Sequence, residues 1–441
     1  MYNKDIESLP LDDLRKLQSE RLQVMLNRQY RHVPFYKKVF DESGIDINAI
    51  SRIEDIHRLP FTYKTDLRAN YPYELSAVPE SQFARIHASS GTTGRPTVVT
   101  YTNHDLEIFS EVVARSLYAA GARPGMKIHN AYGYGLFTGG LGIHGGAEKM
   151  GLAVIPVSGG MTERQLTILQ DFKPDVITCT PSYGQTLAEK CKEKGIDTAQ
   201  LSVKYAVIGA EPWTEAVRKD IEAGLNVKAT NIYGLSEIIG PGVSQEDVDE
   251  KGSGSYIWED HFYPEIVDKD TKEPLPYGDE GVLVFTTLTK EAMPLCRYWT
   301  NDICTLHYDP NGKRSHIKMG DIKGRADDML IIRGVNLFHT QVESVIEQVP
   351  QLAAQYQLIV SNDGGMDKVS VKVEKDSPLQ EDYDLLSSVR QSEINRELQQ
   401  HLSGKIKDTI GLSMSVEVVN NGDIPRSAGG KLSRIVDQRK K

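Results

Sequence analysis

VITCTPSYGQTLAEKCKEKGIDTAQLSVKYAVIG, residues 176–209, contains an apolar run, an amphipathic segment and a second apolar run. The runs are Val176–Thr180 and Tyr205–Ile208, and the segment between them begins near Ser182. Working outward, Leu152–Val157 and Val227–Tyr233 repeat the short apolar run, and further amphipathic segments begin near Thr162 and Thr214. Short strands alternating with helices at this interval predict an α/β fold with a parallel sheet covered on both faces. Ligands of such sheets sit beyond the carboxyl ends of the strands. The turns TPSYG, GAEPW and YGLSE, each at a strand end, are therefore where chemistry is expected.

Before this region, apolar residues at helical spacing from Leu11 to Phe40 predict an amphipathic helical start that Gly44 ends. After it, residues 256–333 read as mostly β, with turns at Pro274–Asp279 and Asp309–Gly312. A smaller α+β unit follows. It has a helix near Gln341–Gln348, strands near Tyr356–Val360 and Val369–Val373, a long helix near Leu379–Leu402 and a strand near Met414–Val419. The expected division is a large domain, 1–326, and a small one, 327–441.

The length is too great for one ordinary core and predicts two or three domains. The chain has 441 residues, 51 Lys and Arg against 61 Asp and Glu, and a net charge of −10. Hydrophobic residues at 39% exclude a disordered or fibrous chain. An acidic balance without a large basic block argues against a dedicated nucleic-acid binder. No run of 18 apolar residues and no apolar leader occur, so neither a membrane span nor a signal peptide is expected, and the cytoplasm is the predicted compartment. Four cysteines, at 179, 191, 296 and 304, make no disulfide framework and fit a reducing environment.

The strongest local signal is HASSGTTGRPTVVTYT, residues 87–102. Hydroxyls and glycines in one short loop let backbone N–H and side-chain O–H groups converge on phosphate oxygens. No Lys follows Gly94, and a β-branched run follows instead of a helix, which excludes a Walker-type P-loop. GLGIHG, residues 140–145, formally matches GxGxxG but lacks an apolar strand directly before it. It reads as a ligand-lining loop, with Tyr132, Tyr134 and Phe137 walling a flat apolar pocket. Tyr233-Gly234-Leu235-Ser236-Glu237 sets an aromatic ring, a hydroxyl and a carboxylate at the end of the fourth βα unit. A carboxylate beside a phosphate loop suits Mg²⁺. Cys296, Cys304 and His307 lack the paired spacing of a zinc site and read as core cysteines. No HExxH or GxSxG occurs. The glycine pair before Lys431 lets that ammonium reach into a site on another domain.

SSGTTG, GAEP, YGLSE, Asp302, GRADDMLIIRG and PRSAGGK stand in the order and spacing of the adenylate-forming superfamily of acyl-CoA synthetases. AYGYGLFTGG, GAEPWT, DDMLIIRGVN and IPRSAGGKLSRIVD resemble, within it, the phenylacetate–CoA ligase family, over residues 5 to 437. The resemblance implies an adenylate-forming fold with a small mobile carboxyl-terminal domain. The implied activity is ATP-dependent conversion of phenylacetate to an acyl-adenylate and then to a CoA thioester, with ATP, Mg²⁺ and coenzyme A taking part. By the same comparison Ser89, Ser90, Gly91, Thr92, Thr93 and Gly94 hold the β- and γ-phosphates. Ala210, Glu211, Pro212, Tyr233 and Gly234 frame the adenine, Ser236 touches the α-phosphate, and Glu237 holds Mg²⁺. Asp302 takes the ribose hydroxyls, and Arg325 contacts the nucleotide. Asp327 is the hinge, Arg333 and Gly334 lie near the CoA pantetheine, and Lys431 stabilises charge developing at the α-phosphate. Tyr134, Phe137, Ile238 and Pro241 decide which acid enters. A homodimer is the expected assembly.

The chain also departs from the wider superfamily. Thr97 stands where many members have Lys, a change that phenylacetate ligases share. Trp299 and Asn301 replace basic residues ahead of Asp302, and His339 replaces Pro. DPNGKRSH lacks the CxCG element of relatives with a zinc cluster, so no structural zinc is expected. Other aromatic acids, such as hydroxyphenylacetate, indoleacetate or a benzoate, and carrier-protein loading remain open as alternatives, as does a non-catalytic ligand-binding module on the same fold.

Overall fold

Val176, Val207 and Ile232 face one hydrophobic core while Ile177, Ala206 and Ile208 face another, because successive residues of a strand point to opposite sides of its sheet. In the computed structural model the described residues are 1–89, 96–326, 330–332, 335–363, 366–376, 379–380, 383–384, 386–425 and 434–438. Five strands run parallel side by side in the order Ala153–Ile155, Lys127–Asn130, Val176–Cys179, Tyr205–Gly209 and Lys228–Leu235. The intervening helices Thr162–Asp171, Pro181–Glu193 and Glu215–Leu225 begin close to where the sequence places them. Thr180 and Thr214 cap two of them, each accepting from a backbone N–H of the first turn.

Beyond Lys228–Leu235 the sheet turns antiparallel through Gly240–Glu246, Ser255–Ile257, Lys318–Met319, Tyr298–His307, Glu280–Thr287 and Phe262–Val267. The YGLSE turn is thus followed by a strand and does not close a fourth βα unit. The lysine, histidine and asparagine of Lys127–Asn130 break the apolar signature, so the sequence reading missed this strand; His129 and Asn130 are nevertheless fully buried. The long amino-terminal run divides at Pro34 into Leu11–His32 and Pro34–Glu42.

The expected GLGIHG loop is instead part of the helix Thr138–Met150. Its glycines let the helix press against Asn103–Ala119: a Cβ at Gly142 would stand 2.2 Å from Phe109, and one at Gly146 would stand 2.3 Å from Val113. Packing therefore overrides the low helix propensity of glycine here.

From Leu330 onward a separate hydrophobic cluster forms around a four-stranded sheet. Its order is Ser415–Val419, Met366–Lys375, Leu352–Asp363 and Ile435–Asp437. Helices His339–Ile346 and Ser388–Ile410 cover it. The second helix starts later than expected from Leu379, because Ser387 accepts from Arg390 N and caps it there, and Gly411 in the left-handed region ends it. Among the described residues no helix is long and apolar enough to cross a membrane.

Candidate active site

The strand Arg85–Ser89 pairs antiparallel with Thr97–Tyr101, with Ser89 opposite Thr97, so the two stems of the hydroxyl-rich loop are fixed. Ser90, Gly91, Thr92, Thr93 and Gly94 lie outside the described residues. At the stems the buried Ser89 Oγ and Thr97 Oγ1 find no partner among the described residues, and neither does His87 Nε2. The His87 ring is anchored through Nδ1 to the Leu136 carbonyl at 2.9 Å, and burial lowers its pKa. Buried polar atoms without a partner at the neck of a Ser/Thr/Gly loop suit an anion-binding cradle.

Glu237 sits across from this hairpin and is only 5% exposed. Lys64 Nζ lies 3.5 Å from its carboxylate, and the Tyr298 hydroxyl bonds to it. Burial, reinforced by that negative charge, pushes Tyr298 well above the usual tyrosine range. The backbone of the turn is held from behind. Lys290 Nζ donates to the Glu237 carbonyl at 3.0 Å, and the Tyr101 hydroxyl donates to the Ile239 carbonyl at 2.9 Å. Burial brings the Lys290 ammonium down to about 8, an effect that Asp105 and Glu237 partly offset. Ser236 Oγ shares a 3.0 Å hydrogen bond with Thr138 Oγ1. Gly234 has no room for a side chain, since a Cβ would stand 1.9 Å from the Gly240 carbonyl oxygen.

Asp302, 6% exposed, accepts from the Tyr233 hydroxyl at 2.6 Å through one oxygen, while Arg325 Nη1 lies 3.3 Å from the other. Burial, with the adjacent Asp302 charge, raises Tyr233 well above its ordinary value. Ala210 adopts φ +74°, and Glu211 accepts from Ser182 Oγ at 3.0 Å, so the GAEP turn is locked to the start of the helix Pro181–Glu193. A cavity of 260 Å³ opens beside Ala210, Glu211 and Pro212, reaching Arg325 on one side and His339, Glu343 and Arg434 on the other. Glu343 is pushed up to about 7 by burial, against the pull of Arg434.

The five residues expected to line the acid pocket separate in the structure. Tyr132 and Ile238 are buried in the large core, Phe137 is 51% exposed, and Pro241 is half-buried opposite Gly234. Tyr134 is half-buried, with its hydroxyl bonded to Asn130 Nδ2 at 2.8 Å and to His144 Nδ1 at 3.1 Å. Asp327, Arg333, Gly334 and Lys431 lie outside the described residues. Lys64, Lys290, Thr138 and Tyr298 belong to the site but escaped the sequence reading. Lys64 and Lys290 stand in stretches without turn or motif signals, while Thr138 and Tyr298 lie within AYGYGLFTGG and beside Asp302, where the fold turns Thr138 to Ser236 and Tyr298 to Glu237. The departures near Asp302 have internal partners: Trp299 Nε1 donates to Asn301 Oδ1 at 2.8 Å, and His339 Nδ1 meets the Tyr356 hydroxyl at 2.9 Å. Cys296 and Cys304 are fully buried.

The profile of the AMP-binding enzyme family matches residues 14–288, and that of the AMP-binding enzyme C-terminal domain matches residues 334–439. The chain is 57% identical to a phenylacetate-coenzyme A ligase of Thermus thermophilus, with both chains covered completely. It is 48% identical to the enzyme of that name from Escherichia coli, over 98% of this chain and 97% of the relative. The chain belongs to the AMP-binding enzymes, in the phenylacetate–coenzyme A ligase family. In three dimensions it is similar to a 2-hydroxyisobutyryl-CoA ligase in its postadenylation state, with a TM-score of 0.90 and 25% identity over 99% of this chain and 92% of that one. The same ligase in its thioesterification state gives 0.72, with the same coverage, so the two parts of this chain are arranged as in the postadenylation form.

Proposed function

We propose that this chain is an ATP-dependent phenylacetate–CoA ligase. Phenylacetate attacks the α-phosphorus of ATP to give phenylacetyl-adenylate and pyrophosphate, and the CoA thiol then displaces AMP to give phenylacetyl-CoA. The observation that carries this reading is Asp302 held between Tyr233 and Arg325. A buried carboxylate with one oxygen on each partner is fixed in the orientation that two ribose hydroxyls require. It stands in a chain 47–57% identical to relatives of that name.

The chain's own groups divide the work. Ser89 and the loop after it hold phosphate oxygens, the GAEP turn and Tyr233 frame the adenine, and Ser236, steadied by Thr138, meets the α-phosphate. Glu237 would hold Mg²⁺. A buried carboxylate is a hard oxygen ligand suited to a divalent ion, which would take the place of the Lys64 cation 3.5 Å away. When bound, that ion neutralises charge on the phosphates. Lys431 stabilises the charge that develops between carboxylate and phosphate, and removing one such donor typically costs about 10²–10³ in rate. Residues 327–441 act as a lid hinged at Asp327 that rotates between the half-reactions and brings Arg333 and Gly334 to the pantetheine. Tyr134 and Pro241 border the acyl pocket. The four buried free cysteines suit a cytoplasmic home, and the assembly is a homodimer.

The test is ATP-dependent pyrophosphate release across a panel of aromatic and aliphatic acids, with and without CoA. Release with phenylacetate, converted to AMP and a thioester when CoA is added, is the expected result. Release only with another acid would overturn the substrate, and a silent panel with ATP still bound would overturn the enzyme.

A further inference from the structure

Lys290 is a buried cation that the reaction outlined above does not use. Only 3% of it is exposed, its ammonium donates to the Glu237 carbonyl at 3.0 Å, and it lies 5.1 Å from the centre of the Tyr101 ring. Burying an ammonium whose direct contacts are one carbonyl and a ring face is costly even with the Asp105 and Glu237 charges offsetting part of it, and an apolar side chain of similar length would fill the same space without that cost.

The loop carrying Lys290 is itself pinned. Asp105, fully buried, accepts from Glu291 N at 2.6 Å and from Ala292 N at 2.9 Å, and also from Thr102 N at 2.9 Å. Thr102 directly follows Tyr101, which ends the strand leaving the phosphate-loop hairpin. Tyr101 in turn donates to the Ile239 carbonyl at 2.9 Å and the Ser236 carbonyl at 3.3 Å. One continuous polar scaffold, Asp105, Lys290 and Tyr101, thus grips three carbonyls of the turn 236–239 from its far side. It ties that turn to the stem of the phosphate loop.

We infer that Lys290 is a positioning residue for metal-bound nucleotide: by holding the Glu237 backbone it aims the Glu237 carboxylate at the place where the phosphates and their divalent cation bind. The inference rests on the reading of Glu237 as the metal-holding carboxylate. It concerns geometry and not titration of the ammonium.

The experiment compares Lys290→Met, Tyr101→Phe and Glu237→Gln with the unaltered chain by two readouts. The first is Mn²⁺ binding in the presence of α,β-methylene-ATP, with free Mn²⁺ measured by electron paramagnetic resonance. The second is thioester formation from supplied phenylacetyl-adenylate and CoA. Lys290→Met is expected to weaken Mn²⁺ binding about tenfold, as loss of a group supporting a metal ligand does. Its thioester step should stay within about twofold, since no metal–triphosphate takes part there. Tyr101→Phe keeps the cation but loses one clamp, and should weaken Mn²⁺ binding about threefold. If Lys290→Met does not fold, Tyr101→Phe decides: weakened Mn²⁺ binding supports the inference, and unchanged binding overturns it. Weak Mn²⁺ binding in Glu237→Gln beside normal binding in Lys290→Met overturns the inference alone. Normal binding in Glu237→Gln overturns the metal reading, and the inference falls with it.

Discussion

Asp302 and Arg325 stand opposite each other in antiparallel pairing, and their side chains meet at 3.3 Å where the short strand Gly324–Arg325 joins Tyr298–His307 of the large sheet. The strand Gly324–Arg325 thus brings a cation to a carboxylate whose other oxygen is already taken by Tyr233. The pairing fixes Asp302 while leaving Arg325 30% exposed toward the cavity.

Replacing Asp302 by Ala removes both acceptors at once. Hydrogen bonds to a charged group are worth about 1.5–3 kcal/mol, so KM for ATP should rise about 10- to 100-fold. KM for phenylacetate should change little, because the proposed role of Asp302 is toward the ribose and not the acid. Equal rises in both constants, measured by pyrophosphate release, would mean that the site collapsed and would sink the ribose assignment.

Gly140 gives a second prediction. A Cβ there would stand 2.5 Å from the Gly133 carbonyl oxygen and 3.0 Å from a Tyr134 ring carbon. Gly140→Ala should push the 133–134 backbone and the Tyr134 ring aside, costing about 1–3 kcal/mol of stability as overpacking does. KM for phenylacetate should rise more than KM for ATP. Gly135→Ala is the control, since open space surrounds that position. Urea midpoints and the two KM values check the pair, and a Gly140 variant indistinguishable from the Gly135 control would refute the argument.

The parts of this fold that could be read in the sequence are those where one local pattern suffices. Val176–Cys179 and Tyr205–Gly209 are apolar because both sheet faces are covered, and Thr180 and Thr214 announce the helices that follow. Lys127–Asn130 was invisible because its polar side chains meet partners elsewhere in the fold, His129 through Nε2 at Gln165 and Asn130 at the Gly140 carbonyl. The Thr138–Met150 helix was hidden for a related reason. Its glycines serve the contact with Phe109 and Val113, which local propensity cannot register. In the site, Glu237 and Asp302 stand in recognisable motifs, whereas Lys64 and Lys290 reach Glu237 from 173 residues before it and 53 after it in the chain. No spacing rule connects such positions.

A third prediction concerns the contact between the two parts of the chain. The Thr214 hydroxyl, which caps Glu215–Leu225, donates to the Glu347 carboxylate at the end of His339–Ile346. A carboxylate at a helix amino terminus also gains from the helix dipole. Glu347→Ala should loosen the postadenylation arrangement and slow pyrophosphate release about three- to tenfold. Thioester formation from supplied phenylacetyl-adenylate should hold or quicken, because the similar 2-hydroxyisobutyryl-CoA ligase takes a different arrangement in its thioesterification state. Equal slowing of both half-reactions would show that Glu347 serves folding and not the choice of state.

The fourth prediction is a pH dependence at His339. Burial, helped by the Arg434 charge, lowers its pKa from 6.5 to about 4, and its Nδ1 meets the Tyr356 hydroxyl. Between those two values the unfolded chain binds a proton that the folded chain refuses. Stability from this group is therefore complete above pH 6.5 and is lost as pH falls toward 4. At pH 5 the loss amounts to about 2 kcal/mol relative to pH 8. His339→Gln keeps a hydrogen-bonding group for Tyr356 but cannot titrate, so its urea midpoint should decline less steeply over this range. The comparison is the difference in slope between the two proteins, because other buried groups such as His261, also lowered to about 4, titrate equally in both. Parallel acid limbs would show that His339 does not exchange its proton on folding.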